Sequence, residues 1–230
     1  MSEELAQYRV IQNGNPFEDA RRLSGDRSID VVVDVGANVG DVCLHLLANF
    51  PEATIHAFEP HRESFLTLER RYASEDRVRV IPLGVSDTSD GEVLRLYSTP
   101  GLNSVLQIDE DAAPFLEGFG AESLGTQHFD TIRLDEYCAA QGVSTVDFLK
   151  LDVQGWELHC LRGAAGLLGQ HRIRFLYVEV NFVALYEQQV FYEDVARHLG
   201  AFGYRLFSLY ALSFNKQGQL CWADALFFRP

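Results

Sequence analysis

Apolar and polar positions along this chain follow two periods. Residues 29–33, 53–58 and 78–85 are short apolar runs separated by stretches of helical length. That is the rhythm of strands buried on both faces of a sheet, with helices between them. The pattern predicts a strand over 30–35 and a helix over 39–49 that stops before Pro51. A strand over 54–58 and a helix from about 62 to 73 follow, and then a third strand over 78–85. Upstream, a helical piece is expected after Asn15-Pro16, with Asn15 as cap and Pro16 in the first turn.

The period then changes. Residues 91–98 (GEVLRLYS) and 129–134 (FDTIRL) alternate apolar and polar positions one by one, as half-exposed antiparallel strands do. The stretch between them, 99–128, holds Gly101, Gly118, Gly120, Gly125 and several acids. A loop of that length in a compact domain is usually functional, and it reads as a flap on the substrate side. Beyond it the pattern predicts helices over 134–141, 156–168 and 190–199, and strands over 146–151, 175–180 and 204–209. Asn215-Lys216-Gln217-Gly218 then makes a hairpin turn, so that 223–229 returns antiparallel to the other strands. The expected fold is α/β: a mainly parallel seven-stranded sheet with a reversed last strand, layered by helices, with an inserted antiparallel strand pair. An N-terminal helical segment, 1–28, would precede a main domain over 29–230.

Composition narrows the partners. A chain of 230 residues can bury one sizeable core. Its 33 acids against 19 Lys and Arg, a formal charge of −14, would repel a phosphate backbone, so no nucleic-acid partner is expected. Cys43, Cys138, Cys160 and Cys221 lie far apart among apolar neighbours, which excludes a C-x-x-C zinc ribbon or redox pair and suits small core residues. Residues 1–12 are polar and of mixed charge, unlike a signal peptide, and no apolar run reaches membrane-spanning length. A cytoplasmic protein with no membrane partner is expected. No pattern assigns an oligomeric state.

The candidate chemistry lies where the predicted strands end. Asp34-Val35-Gly36-Ala37-Asn38-Val39-Gly40 follows the first strand, and Glu59-Pro60 closes the second. Two glycines let backbone approach a ligand, the following helix turns free amides toward the loop, and Glu59 can accept both hydroxyls of a ribose. A dehydrogenase loop, G-x-G-x-x-G, makes room for pyrophosphate; a carboxylate just ahead of the first glycine favours a cationic or zwitterionic ligand instead. S-adenosylmethionine, with a sulfonium, an ammonium and no phosphate, suits this spacing. Asp34 would face the amine or sulfonium, Gly36, Ala37, Asn38 and Gly40 would shape the loop, and Glu59 with Pro60 would hold the ribose. Ser86 and Asp87, at the third strand end, complete the cofactor set. The other use of the same string is a helix-starting turn capped by Asn38.

Asp152 ends the strand over 146–151 and Glu179 ends its neighbour. Both are candidate catalytic residues, able to orient or deprotonate an acceptor hydroxyl. With Asn181 they would also offer hard oxygen ligands, so a divalent cation is an alternative, though none is expected. A helix cap for Asp152 and a lysine-paired structural acid for Glu179 are the other roles such residues take. Lys150 is expected as a partly buried ion-pair partner, and Trp156 as pocket wall or core. The seven histidines lack zinc spacing, and His128 alone stands as a candidate base. No P-loop or G-x-S-x-G elbow is present.

These blocks, VVDVGANVGDVCLHL, AFEP, GVSDTSDGEV, TIRLDEY, DFLKLDVQGWELHCLRGA and YVEV, resemble in order those of the FkbM family of S-adenosylmethionine-dependent methyltransferases. The resemblance covers about 31–180, and the final strand DALFFRP is also typical. It implies O-methylation of a hydroxyl on a sugar or other natural-product scaffold, with Asp34, Gly36, Asn38, Gly40 and Glu59 at the cofactor. Asn103-Ser104 match a polar pair of the family's middle loop, and Asp152, Gly155 and Glu157 match its D-x-E-G-x-E block. Gln154 stands where that block has a glutamate. Two rival readings remain: a nicotinamide oxidoreductase on a similar sheet, and a module that binds the cofactor without catalysis.

Overall fold

A computed structural model describes residues 9–116 and 118–230. Of the N-terminal stretch expected not to be a leader, 1–8 lie outside the described residues. The chain opens with β1 (Arg9–Ile11) and α1 (Pro16–Ser24). Asn15 caps α1 as its sequence suggests: its Oδ1 accepts from the amides of Phe17 at 3.0 Å and Glu18 at 3.3 Å. The first alternating units follow as β2 (Val31–Val35), α2 (Asp41–Asn49), β3 (Thr54–Phe58), α3 (Arg62–Arg71) and β4 (Val78–Ile81).

The expected third strand is cut in two. Pro82 has no N–H to give to a neighbouring strand, so β4 ends before it. Beyond it, β5 (Gly84–Val85) leaves the main sheet and pairs in parallel with β8 (Thr131–Ile132). The inserted antiparallel pair is β6 (Glu92–Tyr97) with β7 (Ser123–Phe129), so its second member lies upstream of the predicted 129–134. Ser123–Phe129 is mostly exposed. It has no buried face to give the sequence an alternating pattern. What remains of the flap among the described residues, 99–116 and 118–122, contains two 3-10 turns, Pro100–Leu102 and Glu110–Phe115. Leu102, Ala112 and Leu116 pack with Val183, Leu185 and Tyr186 in a small core of their own.

The second half supplies α4 (Leu134–Gln141), β9 (Val146–Leu151), α5 (Glu157–Gly163), α6 (Ala165–Gly169), β10 (Ile173–Asn181), α7 (Tyr192–Ala201), β11 (Arg205–Phe214) and β12 (Leu220–Phe228). The helix predicted over 156–168 is broken after Gly163, where a Cβ would lie 2.0 Å from the Ser86 carbonyl oxygen. The Asp135 carboxylate then receives the amides of Gly166 and Leu167 at 2.8 and 2.9 Å, capping α6.

The main sheet has eight strands in the order β1-β11-β12-β10-β9-β2-β3-β4, one more than the sequence suggests. The addition is β1, antiparallel to β11 at the edge. Three residues are too few to show a period. The reversed last strand is present: β12 runs antiparallel to both β10 and β11. Outward from β2 the chain builds β3 and β4 on one side, then returns to build β9 and β10 on the other. The carboxyl ends of β2 and β9 therefore flank the switch point, where open α/β sheets bind their ligands. β9 is buried at all six positions, Lys150 included. No helix among the described residues is long and apolar enough to cross a membrane.

Candidate active site

Gly36 sets the floor of the site. At φ +79° it turns the chain off β2, and a Cβ there would lie 1.9 Å from the Asp152 carbonyl oxygen. Only glycine lets the ends of β2 and β9 come this close. The Asp152 amide donates to Val35 O at 3.2 Å, and those of Gly36 and Ala37 to Phe58 O at 3.0 Å, so three strand ends are tied at one point.

Above this floor lies a cleft of about 800 Å³ including its open mouth. Gly36, Asn38, Glu59, Pro60, Asp152 and Gln154 line it together with the apolar Val85, Leu94, Phe129 and Trp156. Glu59 is buried, and each of its carboxylate oxygens accepts a backbone amide at 2.7 Å, Oε2 from Asn38 and Oε1 from His61. Loss of water on burial raises its carboxyl to about 7, although these two amides and the Lys150 charge pull the other way. Ser64 steadies the loop by donating to Asn38 Oδ1 at 3.0 Å. The lining contains two carboxylates and no Lys or Arg.

Five of the predicted cofactor residues do not reach the cleft. Asp34 is fully buried beneath the floor, 3.1 Å from Lys150 Nζ and 3.5 Å from the Cys43 thiol that donates to it. Its place within β2 turns the side chain toward Cys43 of α2 and Lys150 instead of the strand end. Ala37 is buried. Gly40 packs on α3, where a Cβ would lie 2.5 Å from both Leu68 and Tyr72. Ser86 and Asp87 act one layer back. Ser86 Oγ accepts from Trp156 Nε1 at 3.3 Å, and Asp87 pairs with His159 at 3.0 Å. His159 in turn stacks on Trp156 at 3.6 Å, so the pair fixes an aromatic wall. Gly36, Asn38, Glu59 and Pro60 are brought together at the cleft.

Of the catalytic candidates, Asp152 lines the cleft and Glu179 does not. Glu179 is half-buried behind Gln154, which touches both carboxylates. Desolvation, with Asp152, Glu157 and Asp224 nearby, holds the Glu179 carboxyl well above its ordinary value. Asn181 is buried away from the lining, and His128 also stands outside it. Among the described residues no group of three or more His, Cys, Asp or Glu side chains could hold a metal ion. Lys150 is more deeply buried than its sequence suggests and donates to Gly36 O at 3.0 Å, with Asp152 at 3.5 Å. Burial alone would lower its ammonium, yet Asp34 and Asp152 outweigh it and raise the pKa above that of an ordinary lysine. Sequence reasoning missed Leu94, Val105 and Phe129 as lining, because they come from the inserted hairpin and flap, and no local pattern aims them here.

A profile of the family described as Methyltransferase FkbM domain matches residues 34–206. The chain belongs to the FkbM methyltransferase family. This FkbM chain is 33% identical over 174 residues to the 31-O-demethyl-FK506 methyltransferase FkbM of Streptomyces tacrolimicus, covering 67% of this chain and 66% of that protein. It is 25% identical over 166 residues to the 2-O-methyltransferase NoeI of Sinorhizobium fredii, with 70% and 67% covered. A third relative is the hexuronic acid methyltransferase AglP of Haloferax volcanii, 29% identical over 156 residues, with 66% and 56% covered. The matches thus span between about half and two thirds of these relatives' own lengths. The methyl donor of the family is S-adenosylmethionine.

The acid excess of this FkbM site makes its stability depend on pH. Burial raises Glu59 and Glu157 to about 7 and Asp224 to about 6. A carboxyl raised in the folded state binds more protons folded than unfolded, so its stabilising share is complete below its ordinary range and is lost as pH rises through the folded value. His56 runs the other way: burial, then the Arg79 charge, push it down to about 4, and burial lowers His61 and His198 as well, so their share is still being gained as pH rises through about 6.5. From pH 6.5 to 8 the carboxyls, Glu179 among them, outweigh that gain. Unliganded protein should therefore lose on the order of 1 kcal/mol over that interval. A melting temperature that stays level or rises would contradict the assignment.

Proposed function

We propose that this chain is an O-methyltransferase that binds S-adenosylmethionine between the ends of β2, β3 and β9 and methylates a hydroxyl of a sugar or natural-product scaffold. The observation that carries the proposal is a cleft lined by Glu59 and Asp152 with no Lys or Arg. Further acids, Glu157, Glu179 and Asp224, crowd behind it around the one Lys150. Such a site favours a cation and disfavours a pyrophosphate. S-adenosylmethionine fits this donor set: Glu59 keeps free lone pairs for ribose hydroxyls, Asn38 and the Gly36 backbone border the same side, and the apolar wall of Val85, Leu94, Phe129 and Trp156 suits a flat base. When bound, it supplies an electrophilic methyl group.

Asp152 would orient the acceptor hydroxyl and take its proton as the oxygen–carbon bond forms and the carbon–sulfur bond breaks. Lys150 keeps Asp152 near β9, and the apolar wall excludes water from the transfer. The acceptor class rests on the relatives named for O-methylation and hexuronic acid. The formal charge of −14 supports a small or glycan acceptor over a nucleic acid. Residues 29–230 would form the catalytic unit, with α1 docked on it through Phe17, which contacts the rings of Phe50, Phe148 and Tyr177.

Calorimetric titration with S-adenosylmethionine is the first test, with NAD as the control. Heat from the former and none from the latter is expected; the reverse would favour the nicotinamide reading. Labelled methyl transfer to a panel of hydroxylated sugars and polyketides then separates a catalyst from a binding module. Glu59→Gln should weaken S-adenosylmethionine roughly 10–100-fold, the size of a lost hydrogen bond to a charged group. The amide would set its own N–H against one of the two backbone amides that Glu59 accepts. Undiminished affinity would remove Glu59 from the cofactor site.

A further inference from the structure

Gln154 lies at the centre of a closed hydrogen-bond set. Gln154 Nε2 donates to Asp152 Oδ1 at 2.8 Å and to Glu179 Oε2 at 2.9 Å. Its Oε1 accepts from the Tyr186 hydroxyl at 2.9 Å, and its backbone oxygen accepts from Ser104 Oγ at 2.7 Å. The amide's two donors and its acceptor oxygen are therefore all engaged. They join the strand ends of β9 and β10 to the 182–191 loop, while the backbone bond ties in the flap. Gln154 holds φ +54°, a backbone region unfavourable for a residue with a Cβ. The geometry persists because bonds from four segments meet there.

A glutamate at this position has the same length and no donor. Two carboxylates within reach of a third need a shared proton or a cation between them. Carboxylates grouped in this way are ligands for a hard divalent ion.

We propose that Gln154 is the positioning residue of this site. Its amide stands where a shared proton or a bridging cation would otherwise be required, so that Asp152 is held toward the cleft by one neutral N–H beside the Lys150 ammonium and needs no divalent ion. The proposal rests on the O-methyltransferase reading for what Asp152 does, but the state of the bridge can be measured without turnover. It also gives Gln154→Glu a definite outcome: the same three side chains become a cation site.

The test uses full-length wild-type protein, Gln154→Glu, and the double variant Gln154→Glu/Asp152→Asn. Each is titrated with calcium and with magnesium alone by calorimetry, and melted with and without chelator. Wild type should give no site-specific heat and a melting temperature indifferent to chelator. Gln154→Glu should bind one calcium per chain at roughly 0.1–1 mM, the weak end of oxygen-ligand sites. It should melt higher with the ion than without it, and the double variant should lose both effects. A merely structural role for Gln154 would lower stability without creating a cation response.

Stoichiometric binding of either ion to wild type overturns the proposal. So does a folded Gln154→Glu protein that ignores both ions. Should Gln154→Glu fail to fold at neutral pH, recovery on adding calcium supports the proposal and failure to recover overturns it. S-adenosylmethionine titrated into the same wild-type sample reports separately on the functional reading; no binding there would sink that reading and leave the cation result standing.

Discussion

Asp152→Asn should reduce methyl transfer by roughly 10²–10⁴-fold, the usual worth of a positioned general base, while cofactor binding is retained. The asparagine keeps the shape, and its carbonyl oxygen can still accept from Gln154 Nε2, as Asp152 does at 2.8 Å. What it loses is the charge that draws the acceptor proton. Its amide nitrogen would also face Lys150 Nζ, which the native carboxylate holds at 3.5 Å. The measurement is single-turnover methyl transfer to whichever hydroxylated acceptor the labelled screen identifies, with calorimetry of S-adenosylmethionine alongside. Loss of turnover with intact binding places the effect on the chemical step. Native turnover with native binding would remove Asp152 from the mechanism, leaving alignment alone to carry the reaction.

The second large effect is on stability. Lys150→Met should cost about 3–5 kcal/mol, the penalty for stranding one member of a buried ion pair. Asp34 would keep only the Cys43 thiol, at 3.5 Å, in a position with no access to water. Gly36 would lose the ammonium that its carbonyl accepts at 3.0 Å, so the floor of the cleft would loosen as well. For a chain of this size that corresponds to a fall in melting temperature of roughly 6–20 °C. The check is thermal or urea unfolding of Lys150→Met beside Lys150→Met/Asp34→Asn. The double variant removes the orphaned charge and should regain a substantial part of the loss, since the two sites are coupled. A single variant within about 1 kcal/mol of wild type, inside the range of a surface pair, would show that the buried charges do not depend on one another.

Both predictions turn on which acids reach the cleft, and there the sequence and the structure part company. Glu59, Asp152, Gly36, Asn38 and Pro60 were legible because each stands at or just beyond a strand end, and an apolar run announces where a strand ends. Asp34 carried equal promise on sequence grounds. Its place one residue inside β2 turns it under the floor, toward a lysine 116 positions away. Ser86 and Asp87 likewise follow an apolar run, but Pro82 diverts that run into the small sheet with β8. Their side chains then brace Trp156 and His159 instead of meeting the cleft. Gln154 stood out in the sequence only through the family resemblance, and nothing local revealed that its amide bridges two strands.

By itself the sequence determined the alternation of strand and helix, the reversed last strand and the family. Each of these is written in short-range periodicity and compact motifs, which survive without knowledge of what packs against them. The tertiary structure alone decided the eighth strand, the hairpin partner of β6, the burial of Asp34 against Lys150 and the bridge at Gln154. Those depend on groups that meet only after the sheet has closed, when the neighbours of a charge, and not its place in the chain, set whether it faces ligand or core.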